Sequence, residues 1–338
     1  MENDSDKNQE PIWLSDLPVT SENIGFNPEE MNACPKCGKT NPPTRLSCFY
    51  CSADLETDGD GKHSEKLNLR GLEAWENGFN VVYLPGSADK TQPDISSIAR
   101  LLSIESDFVR SITDAKSVIP IARLESPNEA AAAVEVLSRY GLECAVVGDD
   151  VLKSDKLPVR LRGLKFNDES VVLTLFNTNE ETEIHRDEIS LVVTGAIIEG
   201  KTETVEKRKK KKTAVVLETH ATSDGGLVDL YTRRDHTGYR ISINGFDFSC
   251  LGTDKGLLAA ENIRRLTEVL KDFAPSAKFI GDYLTIRELL GEVWEIERRK
   301  DSHGQQRTGF GGKDFTKIES SNNLRQFTKY SRLQRHLL

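Results

Sequence analysis

The residues best suited to do chemistry are four cysteines that form two closely spaced pairs. Cys34 and Cys37 make one Cys-x2-Cys turn, Cys48 and Cys51 make a second, and ten residues separate the two turns. Each turn places two thiolates side by side, so two turns complete the tetrahedral shell that Zn²⁺ prefers. The spacing therefore predicts one structural zinc ion bound by these four side chains.

Other uses of the thiols are less consistent with the pattern. Cys-x2-Cys is also the dithiol motif of oxidoreductases, but two such motifs so close together favour a metal. With four sulfur ligands, zinc has no open position for water or substrate, which disfavours metal-assisted hydrolysis. Cys144 and Cys250 stand alone in apolar stretches, which is typical of buried, inert thiols in a reducing compartment.

The cysteine segment resembles two kinds of zinc-binding module. Its order Cys-x2-Cys-x3-Asn-x6-Cys-x2-Cys, with Asn41, is similar to the Ran-binding-protein type of zinc finger, and Cys34-Pro35-Lys36-Cys37-Gly38 is similar to short bacterial zinc ribbons. Asn32 stands where that finger family usually has a Trp on which a base stacks. Gly38-Lys39 stands where ubiquitin-binding members have Thr-Phe. The resemblance implies a zinc ribbon and carries over neither partner.

Length and composition limit what positions this module. A chain of 338 residues is too long for one ordinary core and predicts about two or three domains. A net charge of -9 argues against the whole chain wrapping nucleic acid. The N-terminus is polar and acidic, unlike a signal peptide, and no apolar run approaches the roughly 20 residues that span a bilayer. We expect a soluble, cytoplasmic protein with no membrane partner.

Three segments make up the N-terminal region. We predict a disordered acidic arm over residues 1–32, the zinc ribbon over 33–54 and a polar linker over 55–78. Within the arm, Ile12–Pro18 is an aromatic and aliphatic cluster in a polar surround. It either docks a partner or packs on the protein's own surface.

An α/β pattern over residues 79–151 predicts a small βααβαβ domain. Its third helix has Ser126 as N-cap and Gly141 as a left-handed stop. In strand order and in the segment Val82–Gly86, this domain resembles the fold shared by the C-terminal domain of the ribosomal stalk protein and the ClpS adaptor. The binding segments of both families are absent, so the resemblance implies the fold alone.

From residue 157 the apolar period changes from 3.6 to 2. This alternation predicts about seven strands, separated by turns such as Asn167–Glu169 and Asp224–Gly226. The strands are followed by one strong helix, whose buried stripe is predicted to be Ala259, Ile263, Leu266, Leu270 and Phe273.

Over residues 157–280, antiparallel strands capped by one helix resemble the pleckstrin-homology-like architecture. The first hairpin lacks the basic residues of the lipid-binding members, so phosphoinositide binding is not implied. The predicted fold class is an α+β multidomain chain. It comprises an N-terminal zinc ribbon, a small βααβαβ domain and a β-rich domain capped by a C-terminal helix.

Two basic segments could contact other molecules. Lys207–Lys212 is a run of six cations, predicted to be an exposed hairpin tip. Residues 281–338 are predicted to be a helical and basic tail. The phosphate-binding alternative assigns Arg325, Lys329, Arg332 and Arg335 to phosphates, with Phe327 and Tyr330 stacking on bases. The other alternative is a strap lying across the protein's own body, which the regular apolar spacing favours, with Leu324, Phe327, Leu333 and Leu337 buried.

The sequence contains no catalytic signature. The six histidines are scattered without ligand spacing, and Gly309–Lys313 lacks the spacing of a phosphate loop. We therefore expect a non-enzymatic, zinc-binding adaptor with an unidentified protein partner. The alternative is a nucleic-acid- or ribosome-associated regulator that uses the basic loop 207–212 and the C-terminal tail.

Overall fold

In the computed structural model the chain forms two compact units, Met1–Ser64 and Glu65–Leu338. Residues 1–30, with the Ile12–Pro18 cluster, lie outside the residues that the structure describes, as does most of the linker 55–78. The described residues are 31–42, 45, 48–51, 53, 55, 72, 76–86, 92–153, 155–209, 212–234, 237–308 and 312–338.

The described residues of the first unit form one short antiparallel strand pair, β1 (Asn32–Ala33) with β2 (Thr40–Asn41). Among the same residues, the buried apolar cluster consists of Cys34, Cys48 and Leu55. A cluster of this size buries too little apolar surface to hold a fold by itself, and small domains of this kind usually need a metal or disulfides. Two of its three members belong to the four-cysteine cluster.

The second unit begins with a small three-stranded antiparallel sheet in the order β4-β3-β5. The elements follow the predicted order of strand, helix, helix, strand, helix, strand. Ser126 Oγ accepts a hydrogen bond from Glu129 N at 3.2 Å, and Gly141 has φ of +82°, so both predicted ends of the third helix are confirmed. The bounds are β3 (Phe79–Tyr83), α1 (Ile95–Leu102), α2 (Ser106–Ala115), β4 (Ile119–Leu124), α3 (Pro127–Arg139), β5 (Cys144–Gly148) and α4 (Asp149–Leu152).

A nine-stranded sheet forms the largest part of this unit, in the order β13-β14-β9-β10-β11-β6-β7-β8, with β12 pairing on β9. Six of its strands, β6 to β11, precede α5, one fewer than the seven or so that the alternation predicts, and β12 follows that helix. The turn predicted at Asn167–Glu169 joins β6 to β7. The bounds are β6 (Val159–Phe166), β7 (Ser170–Leu175), β8 (Glu181–His185), β9 (Ile189–Lys209), β10 (Lys212–Thr232), β11 (Tyr239–Ser242), α5 (Ala259–Phe273), β12 (Lys278–Ile280), α6 (Tyr283–Gly291), β13 (Glu297–Thr308), β14 (Gly312–Asn322) and α7 (Leu324–His336).

The turn predicted at Asp224–Gly226 is wrong, because these residues continue strand β10. They pair with Ala196–Ile198 of β9. The glycine has a packing role instead: a Cβ atom on Gly226 would lie 2.9 Å from Cγ2 of Ile263 on α5. Glycine at this position lets the helix approach the sheet closely.

Helix α5 packs on the sheet through most of the predicted stripe. Leu266 and Leu270 are fully buried, and Ile263 and Phe273 are partly buried against the same core. Ala259 is exposed, so its predicted burial is wrong. It is the first residue of the helix and lies beyond the packed face, beside the exposed Leu258.

We expect Leu266→Ala to lower the free energy of unfolding by about 2 to 5 kcal/mol, because it leaves a cavity in a fully buried part of the core. Urea unfolding of the full chain measures the loss. The matched control is Leu258→Ala, which truncates the same side chain at an exposed position and should cost about 0.5 kcal/mol or less. Equal losses in the two variants would show that the Leu266 face is not core.

The C-terminal segment contains a hairpin, β13–β14, that the sequence pattern does not predict. It adds two strands to the edge of the large sheet, where β14 pairs with β9. Helix α7 follows, with Phe327, Tyr330 and Leu333 fully buried. The prediction that the tail lies across the protein's own body is confirmed for this helix. Among the described helices, none combines the length and the apolar character that crossing a membrane requires.

Candidate metal centre

The two Cys-x2-Cys turns bring all four predicted ligands together. Their Sγ atoms lie within 4.8 Å of one another, with Cys34 to Cys51 at 3.6 Å and Cys37 to Cys48 at 3.5 Å. A tetrahedral zinc ion with Zn–S bonds of about 2.3 Å separates its sulfurs by roughly 3.8 Å. Among the described residues, this is the one group of His, Cys, Asp or Glu side chains that could hold a metal ion.

Local backbone hydrogen bonds shape each turn. Gly38 N donates to Cys34 O at 2.8 Å, and Cys34 N donates to Lys39 O at 2.9 Å. Gly38 has φ of +70°, in the left-handed region where a glycine carries no strain. In the second turn, Cys48 N donates to Ala53 O at 2.8 Å. The sequence Cys-Pro-x-Cys-Gly thus closes its own turn around the first pair of sulfurs.

Asn41 joins the two turns. It is fully buried, and its amide nitrogen donates to Lys39 O at 2.8 Å and lies 3.5 Å from Cys48 Sγ. Its amide oxygen accepts a hydrogen bond from Phe49 N at 2.8 Å. One side chain therefore fixes the spacing between both halves of the cluster, and such outer partners orient the ligands of metal sites.

The pKa values of the thiols reflect this environment. Burial acts to raise the pKa of Cys48, but hydrogen bonds from the backbone of Tyr50 and Cys51 and from the Asn41 amide outweigh burial and lower the pKa to about 6. At Cys37 a backbone hydrogen bond from Lys39 acts to lower the pKa, but desolvation and the neighbouring sulfurs raise it to about 12. Four thiolates this close repel one another, so the site is suited to a divalent cation that offsets their charge.

An exposed aromatic pair lies on the second turn, and sequence reasoning missed it. Phe49 is 69% exposed and Tyr50 is 55% exposed, and their rings meet edge to face at 5.5 Å. Lys39 Nζ lies 4.2 Å from the centre of the Tyr50 ring, and the Arg45 guanidinium lies 5.2 Å from that of Phe49. The available signal was their position between two ligands, because a turn that directs Cys48 and Cys51 inward leaves the two residues between them outside.

The basic run is found at the predicted hairpin tip. Lys209 of β9 pairs with Lys212 of β10, so the run surrounds the end of that hairpin. Lys210 and Lys211 lie outside the described residues.

The cations of helix α7 are engaged within the protein. Lys329 Nζ lies 3.5 Å from Asp149, and Arg335 donates to Thr232 O at 3.1 Å. For Lys329, Arg332 and Arg335 these contacts favour the strap alternative over the phosphate-binding one. Arg325 is 61% exposed and pairs with Glu297 at 2.5 Å. Arg332 donates to the backbone oxygens of Leu152, Lys153 and Lys156.

The two remaining cysteines are not part of the metal centre. Burial and the charge of Glu143 raise the pKa of Cys144 to about 12. Burial is also the main cause that raises the pKa of Cys250, to about 11. Thiols with such pKa values stay protonated and are poor nucleophiles near neutral pH.

Comparison with known proteins gives no relative from which a role could be transferred. No protein-family model, no curated protein and no solved structure matches this chain.

Proposed function

We propose that this protein is a non-enzymatic, zinc-binding adaptor whose ribbon docks a protein partner through Phe49 and Tyr50. The observation that carries the proposal is the exposure of both rings beside the cysteine cluster. Exposed adjacent aromatics are costly on a free surface, and Tyr, Phe and Arg are enriched at the centres of protein interfaces.

The ribbon holds these rings in place before a partner arrives. The backbone of Phe49 is tied to the buried Asn41, and the backbone of Tyr50 donates to Cys48 Sγ at 3.4 Å. Lys39 and Arg45 lie at cation–π distance from the Tyr50 and Phe49 rings and can stabilise them in these positions. Rigid aromatic anchors lose little entropy on binding, which favours affinity.

The zinc ion has a structural role in this proposal. Four thiolates fill a tetrahedral shell and leave no position for a water or substrate, so the metal organises the ribbon and does no chemistry. Reduced thiolates of this kind are typical of a cytoplasmic protein. We further infer that the module is a zinc ribbon of the short bacterial kind, with the finger of the Ran-binding-protein type as the alternative.

The second unit serves as the body of the adaptor. We infer that its small sheet is related in topology to the stalk and ClpS fold, and that residues 157–280 are related to the pleckstrin-homology-like architecture. The inference concerns the fold and assigns no partner of those families to this chain.

We expect the double variant Phe49→Ala with Tyr50→Ala to bind its protein partner with an affinity about tenfold or more below that of the wild type. Truncating interface anchors typically lowers the free energy of binding by about 2 kcal/mol or more. The measurement is a pulldown from a lysate of the source organism with partner identification, repeated after nuclease treatment. Zinc content is measured in parallel, since neither side chain is a ligand and the metal should remain.

The matched control is Leu257→Ala with Leu258→Ala, which truncates two exposed apolar residues in the second unit. Equal retention by the wild type and the aromatic variant would contradict the proposal. Retention that disappears with nuclease would favour the nucleic-acid-associated alternative.

A further inference from the structure

The large sheet brings together the ends of two hairpins that are distant in sequence. β9 pairs with β10 as far as Lys209 and Lys212, and β13 pairs with β14 as far as Thr308 and Gly312. Strands β14 and β9 pair with each other from Asn322 and Glu199 to Lys313 and Arg208. At about 3.4 Å per residue, this shared four-stranded segment is about 30 Å long, and both hairpins end at its far end.

Near the start of the segment, charges are balanced between paired positions. Lys300 of β13 pairs in register with Glu319 of β14, and their charged atoms are 3.2 Å apart. Further along, Lys207 of β9 is paired with Asp314 of β14. Opposite charges at such positions stabilise a sheet.

The last two rows of register-paired residues, at the hairpin ends, depart from this rule. One row crosses three adjacent strands and consists of Arg307, Lys313 and Arg208. In the next row Lys209 is paired with Lys212. Neither segment 207–213 nor segment 307–313 contains an Asp or Glu. Like charges directly opposite one another destabilise a sheet, so these rows are unfavourable for the fold alone. Local rules broken at one place in an otherwise consistent fold are expected at functional sites.

The arrangement suits a ligand with a dense line of negative charge. The three register positions of this row span about 10 Å of the sheet, and duplex nucleic acid carries one negative charge per about 1.7 Å of its axis. Four strands side by side are about 15 Å wide, which exceeds the roughly 12 Å width of the major groove. The end of this sheet would therefore lie across the phosphate backbone and would not reach the base edges.

We propose that the paired ends of these two hairpins bind the phosphate backbone of nucleic acid without reading its sequence. The residues involved are Arg208, Lys209, Lys212, Arg307 and Lys313. This site belongs to the second unit and is independent of the ribbon's docking function. It also differs from the tail site predicted from sequence, because the α7 cations Lys329, Arg332 and Arg335 are held within the protein.

The decisive variant is Lys313→Glu. It places an acidic residue at the register position between Arg307 and Arg208, so the like-charge row becomes an alternating one, and the melting temperature should stay unchanged or rise. It should also weaken binding, because it replaces one cation of the proposed site with a negative charge. One contact alone contributes about 0.9 to the slope of log K against log salt, which corresponds to about tenfold in affinity at 0.1 M salt.

The probes are a mixed-sequence DNA duplex of about 30 base pairs, an RNA duplex of the same sequence and the corresponding single strands. The full-length, zinc-loaded protein is titrated into each probe, and binding is measured by fluorescence anisotropy at several salt concentrations. These probes distinguish DNA from RNA sources of the same phosphates. The matched control is Lys317→Glu, an identical charge change about 14 Å back along β14 and beyond the roughly 10 Å Debye length at 0.1 M salt.

The proposal expects steeply salt-dependent binding by the wild type, a loss of about tenfold or more with Lys313→Glu and a loss of about twofold or less with Lys317→Glu. Two results would overturn it: no binding to any of the probes, or equal losses in the two variants.

Discussion

Cys48→Ser is expected to abolish stoichiometric zinc binding and to unfold the ribbon, while the unit Glu65–Leu338 stays folded. Cys48 is 2% exposed, and it accepts hydrogen bonds from both Asn41 and the Tyr50 backbone, so a serine oxygen would be a poor replacement in both respects. In small zinc modules the metal supplies most of the folding energy, about 10 to 16 kcal/mol in isolated fingers near neutral pH. Losing one thiolate therefore removes the main source of ribbon stability.

Elemental analysis should find about one zinc per wild-type chain and much less in the variant. Amide hydrogen exchange should show lost protection over residues 33–54 and unchanged protection in β3 and β10. Cys250→Ser is the control, because it removes a thiol that is not part of the cluster and should keep the zinc. Full zinc occupancy in Cys48→Ser would contradict the assignment of this residue as a ligand.

Phe327→Ala is expected to lower the free energy of unfolding of the second unit by about 3 to 5 kcal/mol. The side chain is fully buried on α7 and meets the Tyr283 ring edge to face at 5.0 Å. It also fills space that β9 leaves open: a Cβ atom on Gly195 would lie 2.4 Å from the Phe327 ring. Truncation would empty a site that the sheet and α6 together enclose.

The matched control on the same helix is Arg325→Ala. Its side chain is 61% exposed and forms a surface ion pair with Glu297, so its removal should cost about 1 kcal/mol or less. Thermal or urea unfolding compares the two variants. If Phe327→Ala were as stable as Arg325→Ala, α7 would not be the structural strap that its burial indicates.

Deletion of residues 320–338 removes the whole of helix α7. Gln326 Nε2 donates to Trp294 O at 2.9 Å, and Trp294 Nε1 donates to Asn80 Oδ1 at 2.8 Å, so α7 is linked by buried hydrogen bonds to the small sheet. Removing the helix takes away the Gln326 partner of Trp294 O and also exposes apolar surface. The structural role of α7 thus includes joining the small sheet to the rest of the unit.

The features that the sequence determined by itself are those with local causes. Each cysteine turn closes within four residues. Ser126 caps its helix by accepting a hydrogen bond from the backbone of Glu129, three residues later in the chain. Leu266 and Leu270 share a helical face because of the 3.6-residue period. The alternation after residue 157 likewise indicates a run of strands, of which six are found before α5. Each follows from interactions between near neighbours along the chain.

The tertiary structure decided what depends on contacts between distant segments. The glycines at 225 and 226 look like a turn in isolation, but they lie within β10 where Ile263 approaches the sheet. Arg332 looks like a free cation, but it is bound by backbone oxygens about 180 residues away. Strand register places Lys313 beside Arg208, more than 100 residues apart, and such pairings depend on which edges the whole fold leaves available.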